Sequence, residues 1–461
     1  MKKKVLATLL AMAMVATMLV GCSNPDAPKP EAAAPAAEEP AAEEPAAEEP
    51  AAEEPAAEAP AGEEVTLRLF SNLPDRKNGQ GLVEQTIVDE YMAANPNVKI
   101  EVETLDEEAY KTKFKAYAME GMPDVVSVWG QPAFIDEVLE AGVLAELNQD
   151  DYTDYKFLPG STDGFSKDGK LYGLPRNSDV IACYYNQKMF EDNGWAVPNT
   201  YDELIELGKT IKAAGIIPMA MDGGDGWPLC IYFSDVVNKV NGEYQELIGN
   251  ALKTGDFSDP AFKKTAELMV EAQEAGLWQN GYDSQDYGTA MNLFTNGQAA
   301  MFYMGSWETS MARNEDIPQE VRENIRAFTM PVVDGGKGGA NDIAAWCGGG
   351  YAVAANSPNK DEAVKFFNFM FQPDKLSKYG WENGVGMSAQ DQSEYMTGDE
   401  TELQLQLLGY LNAATSMSGT PFGDMGTAAF KSVIESEIQG MTNGSTPIDQ
   451  WFEVIAAPLN K

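Results

Sequence analysis

The chain has 461 residues, with 32 Lys and Arg against 72 Asp and Glu, a formal net charge of -40, four Cys and no His. Without His there can be no Ser-His-Asp triad, no HExxH zinc site and no imidazole pH switch. The -40 balance argues against nucleic acid or anionic lipid as a partner, because phosphate binding needs clustered Lys and Arg. Apolar residues make up 44%, an ordinary globular share, and the length suits two or three domains.

The chain opens with Lys2, Lys3 and Lys4, an apolar run over 5–20, and then Gly21-Cys22. A basic start and an apolar run shorter than the ~20 residues of a membrane span read as a secretory signal, 1–22. From 23 to 64 the composition changes to Ala-Ala-Glu-Glu-Pro repeats, with Pro35, Pro40, Pro45, Pro50, Pro55 and Pro60 in strict period. Ala and Glu favour helix, but such frequent Pro stops one from propagating, and like charges push the segment outward. It is expected to be a disordered tether, reaching at most ~130 Å at polyproline II spacing. The tether carries -12 of the net charge and 65–461 carry -31, so the folded part is acidic in its own right.

Past the tether, strands are predicted over 65–70, 98–104 and 124–129, alternating with helices over 82–94, 107–120 and 132–140. That alternation points to βαβ units and a largely parallel sheet. Strands follow at 171–175 and 180–186, joined by a polar segment at 176–179. Thr200-Tyr201-Asp202-Glu203 is a capping box opening a helix to about 214. A strand at 216–221 leads through a Gly-rich loop into a helix over 227–241. Helices at 260–275 and 287–295 come next, then strands at 299–304, 325–333 and 350–355. Beyond 361 the chain reads as almost entirely helical. Doubly wound α/β chains bind ligands beyond the C-terminal ends of their strands, which directs attention to the loops at 71–81, 130–131, 176–179, 222–228 and 305–308.

Catalytic and cofactor motifs fail on context. Gly208-Lys209-Thr210 ends like a phosphate-binding loop, but the position needing the first Gly is Glu203, inside a helix. Gly384-Val385-Gly386-Met387-Ser388-Ala389 fits a loose dinucleotide pattern after helix instead of strand, and no GxSxG occurs. No cofactor, metal or catalytic residue is therefore assigned. Cys183, Cys230 and Cys347 show no CxxC spacing and are expected to be free thiols, although one disulfide is open to them.

Five segments in order resemble one family. They are Glu120-Gly121-Met122-Pro123-Asp124-Val125-Val126; Leu174-Pro175 with Ala182-Cys183-Tyr184-Tyr185-Asn186-Gln187-Lys188-Met189-Phe190; and Pro198-Asn199-Thr200-Tyr201-Asp202-Glu203-Leu204. The fourth is Gly297-Gln298-Ala299-Ala300-Met301-Phe302-Tyr303-Met304-Gly305-Ser306-Trp307. The fifth is Gly348-Gly349-Gly350-Tyr351-Ala352-Val353 with Ser357-Pro358-Asn359-Lys360-Asp361-Glu362-Ala363-Val364-Lys365-Phe366. Together they are similar to the carbohydrate-type (family 1) extracellular solute-binding proteins of bacterial ABC importers. Leu19-Val20-Gly21-Cys22 likewise resembles a lipoprotein signal.

The resemblance implies a two-lobed α/β fold of the type II periplasmic-binding-protein kind, hinged around a ligand cleft. One lobe would be 65–178 plus 331–385 and the other 179–330 plus 386–461. It further implies a monomer anchored through lipidated Cys22 to the outer face of the cytoplasmic membrane, delivering a small-molecule carbohydrate to the transmembrane subunits of an ABC permease. Sugars offer an apolar face and a rim of hydroxyls, so flat aromatic rings, amides and carboxylates are the expected ligand contacts. Trp307 leads these candidates, since it matches the family's Trp after the Ala-Ala-Met strand. Trp227, Trp129 and Trp346 join it, with Asn72, Gln131, Asp179, Asp222, Asp225 and Glu308 as hydroxyl partners. Two other readings are a receptor for a cation such as a polyamine, which Trp and carboxylates also bind, and a surface glycan hydrolase or lyase working with two carboxylates.

Overall fold

The computed structural model describes residues 63–460. The expected signal segment, the Cys22 lipidation site and nearly all of the tether lie outside them. Two sheets organise the described chain. The first runs in the order Val98–Thr104, Val65–Ser71, Val125–Trp129, Gly349–Val353, Leu174–Pro175. Its first three strands are parallel, with Leu67 opposite Ile100 and Leu69 opposite Val125, and Gly349–Val353 runs antiparallel to both neighbours. Helices Gly79–Ala94, Glu107–Glu120 and Lys360–Phe371 supply Val83, Ile87, Tyr110, Phe114, Phe366 and Phe367 to the core around this sheet. Helix Glu107–Glu120 starts where it does because the Asp106 side chain accepts a hydrogen bond from the Ala109 amide at 3.0 Å, with Glu107 and Glu108 at the positive end of its dipole.

The second sheet runs Ile325–Phe328, Asn177–Asn186, Ala299–Gly305, Ile217–Ala220. Every residue of Ala299–Gly305 is buried, as its continuous apolar sequence requires of a central strand covered on both faces. Helix Trp227–Asn241 is buried from Pro228 to Lys239, leaving only Trp227, Val240 and Asn241 partly exposed. Its buried Lys239 ammonium donates to the Gly339 carbonyl at 2.9 Å and the Asp342 carbonyl at 2.5 Å, while Asp235 Oδ2 accepts from the Tyr303 hydroxyl at 3.1 Å and its Oδ1 has no partner among the described residues. This lobe also takes the C-terminal helices, whose Phe422, Phe430, Ile434 and Trp451 join its main core.

The chain passes between the sheets three times. Arg176 joins Leu174–Pro175 to Asn177–Asn186. Cys347 and Gly348 join Ala345–Trp346, which pairs with Asp179 and Val180, to Gly349–Val353. Residues 383–386 join helix Leu376–Glu382 to Met387–Ser388, which pairs with Asn177 and Ser178. These passages are tight. A methyl at Gly349 would lie 2.9 Å from Arg176 Nη2, and one at Gly386 (φ +41°) would lie 2.9 Å from the Ser306 carbonyl oxygen.

Several predicted elements hold to the residue, among them Val98–Thr104, Glu107–Glu120, Pro132–Glu140, Trp227–Asn241 and Pro260–Ala275. Others differ. The polar segment at 176–179 is strand from Asn177 onward, because two further short strands pair with it. The strand expected over 325–333 ends at Phe328. Residues 331–346 stay with the second lobe, where Val333 and Ala344 pack in its core, so the crossing falls later than the expected boundary at 331. Helix Tyr244–Thr254 was not anticipated: its N-cap Glu243 makes no capping bond and Gly249 interrupts its apolar spacing. The Thr200 hydroxyl caps Glu203 at 3.2 Å as expected, but the Glu203 carboxylate accepts from the Asn199 amide at 2.7 Å, one residue further out than a capping box. All three described Cys are free, Cys183 and Cys230 buried and Cys347 half-buried.

Glu84 ties the first lobe to its cleft loop. It is fully buried, accepts from Ser71 Oγ at 2.9 Å and from the Tyr351 hydroxyl at 2.5 Å, and pairs with Arg76. Glu84→Ala is expected to cost about 3 kcal/mol, because it strands the Arg76 charge and two buried hydroxyls. A lowered midpoint in urea denaturation measures this; an unchanged midpoint refutes it.

Candidate ligand cleft at the strand ends

Val65–Ser71 and Val125–Trp129 of the first sheet, and Ile217–Ala220 and Ala299–Gly305 of the second, deliver their C-terminal ends to the crossing region, where Gly349–Val353 and Asn177–Asn186 begin. From the first lobe come Asn72, just after Val65–Ser71, and Trp129 and Gln131 at the end of Val125–Trp129. From the second come the loop at 222–226 after Ile217–Ala220, with Trp227 opening the next helix, and Trp307 and Glu308 in the 3-10 turn after Ala299–Gly305. The lobes touch here: a methyl at Gly79 of the first would lie 3.0 Å from Ser310 Oγ of the second.

Three of the four predicted tryptophans come together. The Trp227 and Trp307 rings are 6.1 Å apart at 56°, and Trp307 and Trp346 are 6.4 Å apart at 64°. Tyr287 extends the run, 6.0 Å from Trp227. The Trp307 ring lies on Gly305, where any side chain would displace it: a methyl there would be 2.1 Å from the indole. Trp129 belongs to a different group, edge-on to Tyr110 at 5.6 Å and Phe134 at 5.1 Å, with the Lys111 ammonium 5.6 Å from its ring. All four tryptophans are half-buried, so each keeps some exposed ring.

The predicted polar partners divide between the lobes. Glu308 accepts a hydrogen bond from the Tyr287 hydroxyl. Burial pushes its carboxyl up to about 7 against that bond, and Asp75 of the first lobe adds to the rise. Asp222 is fully buried; Oδ1 accepts from the Asp225 amide at 3.1 Å, while Oδ2 has no partner among the described residues. Burial, then the Asp225 carboxylate, pushes Asp222 up to about 8. Asp225 accepts from the Tyr287 amide at 3.2 Å, tying this loop to the aromatic run. Asp179, in strand opposite Trp346, is held by the Asn177 amide, and burial pushes it up to about 7 against the Arg176 guanidinium. Asn72 Oδ1 accepts from Arg176 Nη1 at 3.2 Å. Gln131 is only 6% exposed and its Oε1 is unpartnered among the described residues. A methyl at Gly348 would lie 2.7 Å from both Gln131 Nε2 and Trp346 Nε1, so the first lobe's amide and the second lobe's indole meet at that crossing.

Sequence reasoning missed Tyr287 and a set of charged side chains. Lys111 pairs with Glu107 at 2.7 Å, and Lys431 pairs with Asp424 and, at 3.2 Å, with Glu435. Burial works against the Lys431 ammonium, but the Asp424 and Glu435 carboxylates outweigh it and hold it charged, with Glu107 of the other lobe contributing. These charges sit on helices, where charge ordinarily means a solvated face. Only their placement between the lobes distinguishes them. Tyr287 left a fainter signal, as an aromatic opening a helix directly after the Asp286 cap. Among the described residues, no three His, Cys, Asp or Glu side chains group as a metal site.

Two α/β lobes joined by three crossings, with aromatic rings and buried carboxyls at the facing strand ends, define a two-lobed solute-binding protein. The family profile described as bacterial extracellular solute-binding protein matches residues 78–375, and the chain belongs to that family. The multiple sugar-binding protein of Streptococcus mutans is 25% identical over 329 residues, 69% of this chain and 73% of that protein. The maltotriose-binding protein of Pyrococcus abyssi is 25% identical over 313 residues, 66% of this chain and 62% of that protein. Among solved structures, one from work on xylan utilization by Caldanaerobius polysaccharolyticus superposes with a TM-score of 0.79 at 25% identity, covering 86% of this chain and all of that one. A chitin oligosaccharide binding protein superposes at 0.76 and 23% identity, covering 87% of this chain and 99% of that one, which speaks to the fold.

Asp222 sets a pH signature. Below about pH 4 its carboxyl is protonated in folded and unfolded chains alike. Between there and about 8 the unfolded chain ionises while the folded one keeps its proton, so this residue's contribution to stability falls as pH rises. Asp222→Asn is expected to melt with the parent chain at pH 4 and several degrees above it at pH 8. Equal melting temperatures at both pH values would remove the assignment.

Proposed function

We propose that this chain is the substrate-binding component of an ABC importer, capturing a sugar or oligosaccharide outside the cell and delivering it to a membrane permease. The observation that carries the ligand class is the run Tyr287, Trp227, Trp307 and Trp346 beside Asp222, Asp225 and Glu308 at the facing strand ends. Half-exposed indoles at varied tilts suit the apolar faces of successive sugar rings, and carboxyls and amides at their edges suit the hydroxyl rims. The relatives named for multiple sugars and maltotriose support the same class.

In this reading Trp307 is the central platform, with Trp227 and Trp346 on either side. Asn72, Trp129 and Gln131 close from the first lobe, and Asp179, Asp222, Asp225 and Glu308 receive hydroxyls from the second. Ligand contacts drawn from both lobes favour the closed arrangement, and that shift is the signal a permease reads. No turnover is assigned: the protein works as a monomeric receptor held at the outer face of the membrane by the Cys22 lipid.

Glu308 and Asp222, with carboxyls pushed up to about 7 and 8, favour neutral ligands over polyamines. A protonated carboxyl both donates to and accepts from a hydroxyl, whereas an ammonium group needs the anion.

A thermal-shift and calorimetry panel of maltotriose, raffinose, xylotriose, chitotriose and spermidine tests the proposal. At least one oligosaccharide is expected to bind, with spermidine silent, and Trp307→Ala is expected to weaken the bound sugar by roughly tenfold or more. Stabilisation by spermidine alone overturns the carbohydrate reading. Sugar cleavage by the purified chain overturns the receptor reading.

A further inference from the structure

A small cavity of about 30 Å³, room for one or two waters, opens where the crossings meet. Its wall is composite. Leu73 and Val83 come from the first lobe, Arg176 and Asn177 from the first crossing, Ser377 from the helix before the third, and Met387 from the strand after it. Three of the side chains that line it carry a polar atom with no hydrogen-bond partner among the described residues: Arg176 Nε, Asn177 Oδ1 and Ser377 Oγ. Asn177 is 8% exposed and Ser377 1%. Folded proteins pair nearly all their buried polar groups, so three orphans on side chains lining one small cavity call for a shared partner.

The chemistry of the three restricts that partner. Nε–H of Arg176 only donates, Oδ1 of Asn177 only accepts, and the Ser377 hydroxyl does either. An anion would satisfy Arg176 but oppose the Asn177 carbonyl oxygen, and a cation would face the guanidinium. A neutral hydroxyl-bearing occupant meets all three, and the narrow, partly apolar wall favours the smallest, water, over a polyol. Buried water in proteins bridges groups of this kind, making two to four hydrogen bonds. We infer that the crossing cavity is a built hydration site, holding ordered water on Arg176 Nε, Asn177 Oδ1 and Ser377 Oγ.

The site is connected to the cleft through a single side chain. The Arg176 guanidinium also donates through Nη1 to Asn72 Oδ1 at 3.2 Å, and its Nη2 is the group that leaves no room for a side chain at Gly349. Water on Nε therefore positions Arg176, and Arg176 positions Asn72 at the cleft lip. Because the wall is drawn from both lobes and the crossings, lobe movement must rearrange the water. This linkage holds whichever ligand the cleft takes.

Crystals of the parent chain, frozen without glycerol at a resolution that shows water, test the site directly. Ordered density within hydrogen-bond distance of all three atoms is the expected result. An empty cavity, or all three atoms bonded to protein groups, overturns it. Glycerol-grown crystals separate the two sources of hydroxyl: retained water supports the assignment, and glycerol displacing it shows a polyol site instead. In solution, oxygen-17 relaxation dispersion of Ser377→Val, or of Ser377→Ala if the first folds poorly, is expected to lose at least one long-lived water relative to the parent. An unchanged count overturns the inference. None of these readouts uses sugar binding, so their failure is distinct from failure of the receptor reading.

Discussion

At Gly348, Gly349 and Gly386, where the three crossings pass one another, no side chain larger than hydrogen fits, and much of the molecule is arranged around that restriction. A methyl at Gly348 collides with Gln131 and Trp346, one at Gly349 with Arg176, and one at Gly386 with the Ser306 carbonyl. Three strands of chain can therefore run close together, and the strand ends of two separate sheets arrive at one place. Binding groups reach that place from both lobes only because the backbones approach this nearly. Arg176 occupies the space that remains. It lies 5.6 Å from the Tyr351 ring and bonds Asn72 of the first lobe, and its charge acts on Asp179 of the second, so one guanidinium senses both lobes.

The cores on either side are built differently, in a way that matches a moving part. The first lobe's Glu84 gathers Ser71, Arg76 and Tyr351 into one buried group, which fixes the loop leading to the cleft. The second lobe buries nearly a whole helix, Trp227–Asn241, and hangs Trp227 from its first turn at the cleft edge. Buried supports of this kind on both sides suit a hinge placed at the crossings.

Much of this was legible in the amino-acid sequence, for identifiable reasons. Regular helices with a strong start signal, such as Glu107–Glu120 behind Asp106 or Pro260–Ala275 behind Asp259, could be placed because capping is local chemistry. Trp227, Trp307 and Trp346 could be nominated because each abuts a strand end. What could not be read were the short strands Ala345–Trp346 and Met387–Ser388, whose two residues carry no periodicity and which exist only because Asn177–Asn186 offers them partners. Asp179 was accordingly expected in a loop and stands in a strand. Tyr287, Lys111 and Lys431 were invisible for a related reason: their roles depend on which lobe faces them, and that is long-range information.

The opening charge of -40 takes on a different meaning at the cleft. An acidic protein with carboxylates beside tryptophans invites a cationic ligand, yet the carboxyls nearest the rings are those whose charge is most costly. Burial raises Glu308, Asp222 and Asp179 toward or past neutrality. Between the lobes, Glu107 pairs with Lys111 and Asp424 with Lys431. Those raised carboxyls, with the amides and indoles beside them, suit a hydroxylated, uncharged ligand better than a cation.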